Sequence, residues 1–190
     1  MENNFYNTIA NSTAHRPIRD VISGEVFENP DLFPILLKIA LDVNDKNHHK
    51  ACWSLELVLE SKIEWLTEEH LDVFCDTVQQ YTHQGALRSV SKICLFLIGY
   101  ELKVRKSGGK FTESKHNEQI TSACFDWLIN PDGKVATKVY AMRTLFLLGN
   151  ENDWIYPELT RILSEDASKH TAAYISAAKD ILKKIKQAGN

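Results

Sequence analysis

The sequence is poor in several features that would narrow its chemistry. No apolar run approaches the ~20 residues needed to span a bilayer. The N-terminus, MENNFYNTIANSTAHRP, has neither a basic start nor an apolar stretch, so no signal peptide is expected. Neither sign of charge dominates: 22 Lys and Arg against 25 Asp and Glu leave a formal charge of −3. That balance gives no global electrostatic case for a nucleic-acid or membrane partner. There is no CxxC pair. Cys52, Cys75, Cys94 and Cys124 fall singly within apolar helical patterns, which argues against a disulfide framework or zinc knuckle and for buried thiols in a reducing, cytoplasmic setting. Strand signals are nearly missing as well, with no alternating runs bracketed by Asn-Gly or Asp-Gly turns.

What is present is helix. The 190 residues are 44% hydrophobic, enough to bury a core in one domain or one short array. Asn29-Pro30 reads as a cap followed by a first-turn proline, opening a helix to about Asp42. The turn VNDKN leads into HHKACWSLELVLESK, where Ala51, Leu55, Val58 and Leu59 share one face. Thr67 is placed to cap EEHLDVFCDTVQQY, with Glu68 and Glu69 at the positive end of the helix dipole. GALRSVSKICLFLIGYEL follows. A further helix from Glu118 to Ile129 should stop at NPDG, and KVATKVYAMRTLFLLG should close at Gly149, near the position where a left-handed cap is wanted. Two more helical stretches follow, and Pro17 to Phe27 forms another upstream.

These helices come in pairs, and the pairs repeat. A shift of 38 residues lays CWSLELVL on VSKICLFL, matching Leu55 to Ile93, Leu57 to Leu95 and Leu59 to Leu97. The next pair is displaced by about 50, because VRKSGGKFTESK, Val104 to Lys115, adds twelve residues. Pro34 and Pro157 lie 123 residues apart, three periods of 37 once that insertion is set aside. A period of this size predicts stacked supersecondary units, none able to bury its apolar face alone.

The chain resembles HEAT-type and related armadillo-like repeat proteins. That family places a proline in the first helix of each pair, an acid in the turn between helices, and Arg or Lys six residues later. Pro34 and Pro157 match the proline, and Asp132 with Lys138 matches the turn pair. Asn44 with Lys50 and Thr82 with Arg88 match it by position. The second and third copies lack the proline, and the fourth lacks the basic residue. The resemblance implies an all-α fold, a short right-handed α-solenoid of about four antiparallel helix pairs. Residues 1–28 are expected as an N-terminal helical cap and residues 29–190 as the repeat array, with a flexible insertion at 104–115. HEAT-like proteins are mostly binding scaffolds, so no enzyme, catalytic residue or cofactor is implied.

The residues themselves offer few chemical alternatives. KSGGKFT contains Gly-Gly-Lys and a threonine, but a phosphate loop needs Gly-x-x-x-x-Gly-Lys directly followed by Ser or Thr after a buried strand. His48 and Cys52, four apart, could present a metal pair beside His49. A structural zinc site needs about four ligands, and no recognisable spacing supplies the rest, so no metal is expected. Trp53, Trp65, Trp127 and Trp154 read as core or inter-repeat packing. The charge partition says more, because second helices collect cations while first helices collect acids. Lys50, Arg88 and Lys138 recur at the repeat steps and should form a ladder, with Lys92 and Arg143 beside it. In HEAT-like solenoids second helices line the concave surface, so this ladder is a candidate site for an acidic peptide or protein. Alternatively, such cations bridge to neighbouring turn carboxylates. The runner-up function is nucleic-acid-backbone binding, as in the HEAT-like DNA alkylation-repair glycosylases. Those need an acid beside aromatics in a strongly basic groove, and Asp126-Trp127 is the nearest local fragment.

Overall fold

The computed structural model describes residues 2–166 and 170–188. Among them are ten α-helices, three short 3-10 turns and no strand. The helices are α1 Glu2–Ala10, α2 Arg16–Glu28, α3 Phe33–Leu41, α4 His48–Ser61, α5 Glu68–Thr77, α6 Gln84–Lys106, α7 Ser114–Ile129, α8 Val135–Leu148, α9 Ile155–Asp166 and α10 Ala172–Ala188. The chain divides into two compact units, one ending at Phe96 and the other starting at Leu97, within α6. No helix among the described residues is long and apolar enough to cross a membrane.

Local chemistry explains where the helices begin. Pro34 is the second residue of α3 and Pro157 the third of α9. In a first turn the N–H has no intrahelical partner, so proline forfeits nothing there. Asn29 precedes a 3-10 turn, Pro30–Leu32, rather than α3 itself, which begins at Phe33 and ends before Asp42. Thr67 caps α5 reciprocally: His70 N–H donates to Thr67 Oγ1 and Thr67 N–H donates to His70 Nδ1, each at 3.3 Å.

In the first unit, α1, α2 and α3 all pack on α4. That position buries α4 nearly all round, from Ala51 and Cys52 through Ser54 to Leu59. Cys52 Sγ and Tyr81 Oη both donate to the Ala40 carbonyl, at 3.6 and 2.7 Å. Burial pushes the Cys52 thiol up to about 12, and all four cysteines are free and buried.

In the second unit, α7 and α8 form a helical hairpin, and α9 and α10 pack on α8. Residues 104–115 supply the last turn of α6, a seven-residue connection and the start of α7. The connection is anchored at Glu101, which accepts the N–H groups of Phe111 and Thr112 at 2.6 and 2.8 Å and is paired with Arg105. Burial pushes the Glu101 carboxyl up, but these donors outweigh it and hold the group below its ordinary value. Gly108 adopts φ +81° in the turn, the left-handed region that suits glycine.

Gly149 ends α8, but its conformation is right-handed, φ −65° and ψ −15°. Its function is close approach: a Cβ there would lie 2.2 Å from Cε1 of Tyr156, whose ring stacks on Phe146. Gly149→Ala should therefore lower stability by about 1–3 kcal/mol through overpacking. Gly24→Ala, in the middle of α2 with nothing within 4 Å of the new Cβ, should raise it by about 0.5–1 kcal/mol. Thermal or denaturant melts of the two variants check both signs, and equal stability of Gly149→Ala with the parent would contradict the packing.

Candidate functional site

The basic side chains singled out in the sequence are drawn into the fold to different degrees. Lys50 Nζ donates to the Ala10 carbonyl at the end of α1, where a cation also complements the helix dipole. Arg88 and Lys92, on the first half of α6, reach a carboxylate that periodicity did not single out. This is Glu56, 1% exposed in the middle of α4. Lys92 Nζ lies 3.1 Å from Oε1, Arg88 Nη1 lies 3.5 Å from Oε2, and Ser89 Oγ donates to Oε2 at 2.6 Å. From α2, Arg19 places Nη2 3.4 Å from Oε2 while donating Nε and Nη2 to the Trp53 carbonyl at 3.1 and 2.8 Å. Lys92 is shared with Glu60 at 3.3 Å. In the other unit, Lys138 is 1% exposed. Its Cε crosses the turn before α8, where a Cβ on Gly133 would come within 3.1 Å. Arg143 is exposed on α8. It lines a shallow depression that also contains Tyr140 and Asp180.

A second feature lies on the first helices of the second unit. A groove of about 520 Å³ runs along α7 to the head of α9. From α7 it takes Ser114, Asn117, Glu118, Thr121, Ser122, Phe125 and Asp126, a stripe whose three- and four-residue spacing puts it on one helix face. Trp154 stacks on Phe125 with ring centroids 5.5 Å apart and planes at 25°. It is 57% exposed, and Ile129 beside it is also exposed. Trp154 thus departs from the packing role expected of the four tryptophans. It precedes Ile155, the first buried residue of α9, so its ring covers Phe125 instead of entering the core. Trp127, by contrast, is 7% exposed while Asp126 faces solvent, as adjacent helical positions diverge.

The profile of the HEAT repeat domain family matches residues 5–185. The chain belongs to that family. No curated protein and no solved structure matches it significantly. Membership accounts for the helical-repeat character of the chain. It assigns neither ligand nor reaction. The Glu56 cluster does not recur along the chain, since the residue one repeat later is Cys94. The signal that could have revealed it is a single acid inside the apolar run CWSLELVL.

Three histidines of the first unit, His48, His49 and His83, meet as a ring cluster. His49 stacks on His83 with centroids 4.0 Å apart, and His48 is edge-on to both at 5.7 and 5.9 Å. His48 Nδ1 donates to the Asp45 carbonyl at 2.7 Å, while Cys52 bonds Ala40 instead. Burial, then the neighbouring His83, His48 and Lys50, push His49 down to about 4. Folded His49 stays neutral while the unfolded chain takes up a proton below about pH 6.5. The unfolded state therefore binds more protons between about pH 6.5 and 4, and stability falls as the pH drops through that window. Unfolding measured across this range should show the slope, and His49→Asn should flatten it.

Glu56→Ala leaves Arg19 buried without its carboxylate. Breaking a buried pair in this way costs about 3–5 kcal/mol, so the variant should melt far below the parent. A melt within about 0.5 kcal/mol of the parent, typical of ordinary surface changes, would contradict the cluster.

Proposed function

We propose that this HEAT repeat chain is a non-enzymatic scaffold that binds a protein partner on the first-helix face of its second unit. The observation that carries the reading is exposed Trp154, stacked on half-buried Phe125 and beside exposed Ile129, where the α7 groove meets an adjoining depression. A large aromatic such as Trp154, left in water beside a concavity, is the usual kind of anchor in a protein contact. The basic residues, in this reading, serve the fold first. Lys50, Arg88 and Lys92 already hold a carbonyl or a carboxylate, and Lys138 is buried. An acidic ligand on the second helices would have to compete with Glu56 and Glu60 for those charges. A nucleic-acid backbone would need several uncommitted cations, and among the ladder residues Arg143 is the exposed one with no ion pair among the described residues.

Site-specific photocrosslinking in the native cell separates these readings. A photoreactive phenylalanine derivative replacing Ile129 should crosslink to protein, and one replacing Arg143 should not. Crosslinks arising from position 143 alone, or captured nucleic acid in place of protein, would overturn the proposal.

A further inference from the structure

The charges around the α7 groove indicate the kind of side chain it takes. Its cations are already matched. Arg105 is paired with Glu101 and lies 3.0 Å from Glu151. At the adjoining edge, Arg161 pairs with Glu158 at 2.6 Å and with Glu165 at 2.9 Å. Glu118 and Asp126 are different: both line the groove, both are exposed, and neither has a cationic partner among the described residues. They sit about two turns apart on the groove-lining stripe of α7 that also carries Phe125, and Trp154 covers Phe125. One face of the Trp154 ring is against Phe125, which leaves the other to solvent. An aromatic face draws cations through its quadrupole, and flanking carboxylates reinforce that pull while repelling anions.

We propose that the groove binds an Arg or Lys side chain carried by an extended basic segment of a partner protein, with a neighbouring apolar side chain of that segment resting on Ile129. This deepens the docking proposed above and rests on it. A groove of about 520 Å³ suits one or two side chains better than the face of a whole helix. Glu118 and Asp126 supply charge complementarity, Trp154 and Phe125 supply the flat surface, and Ile129 supplies the apolar contact. Because the carboxylates are exposed, their share of the attraction is screened by salt.

The test is selection of a displayed random heptapeptide library on the full chain, followed by titration of synthetic copies of the recovered peptides. Recovered sequences should be enriched in Arg or Lys next to an apolar residue. Their affinity should fall roughly tenfold or more in Glu118→Gln/Asp126→Asn and weaken with added salt, and Trp154→Ala should abolish binding. Both variants change exposed side chains and should melt like the parent, which separates lost binding from lost fold. Peptides that depend on Trp154 but carry no basic residue would overturn the cation preference and leave the docking reading standing. Peptides that bind Trp154→Ala as well as the parent would overturn both, as would recovery of no peptide. Enrichment of acidic sequences would return the question to the second-helix cations.

Discussion

One carboxylate buried in the middle of α4 governs how the first unit is organised. Helices α1, α2 and α3 pack on α4, and the Glu56 side chain is almost wholly buried. An uncompensated charge there would cost several kcal/mol. Compensation comes from elements far apart in sequence: Arg19 on α2, and Arg88, Ser89 and Lys92 on α6. Each of these bonds has a defined direction, which an apolar contact does not have. The cluster thus ties α2, α4 and the first half of α6 together at defined positions.

That arrangement reorders the meaning of the charge pattern. Cations gathered on second helices look like a recognition surface when the chain is read linearly. Folded, Arg88 and Lys92 are turned toward Glu56, Lys50 closes the end of α1, and Lys138 lies across the turn before α8. On the first helices, Glu118 and Asp126 line the same groove as Phe125, which an exposed Trp154 covers. A repeat protein can divide its surface in this way because each helix of a pair has its own outer face, and stacking consumes the inner ones.

The repeat itself was legible because it depends on short-range chemistry. The 38-residue shift, the first-turn prolines Pro34 and Pro157, and the Thr67 cap all follow from spacing and backbone sterics. Features decided by a distant neighbour were not. Glu56 looks like one more solvated acid until α2 and α6 are placed around it. Gly149 suggested a left-handed cap, while its small size serves the ring of Tyr156, seven residues further on. Trp154 looked like core because tryptophans usually are. Its exposure follows from a one-residue offset: Ile155, not Trp154, is the residue that enters the interior.

Arg88 and Lys92 are committed to Glu56, and a double-mutant cycle between Glu56 and Lys92 tests that commitment most directly. Unfolding free energies would be measured for the parent, Glu56→Gln, Lys92→Met and the double variant. Groups joined within one buried network should couple by about 0.5–3 kcal/mol, with the double variant losing less than the two single losses combined. A coupling indistinguishable from zero would mean that Lys92 and Glu56 are independent, and would return the lysine to the surface as a free charge.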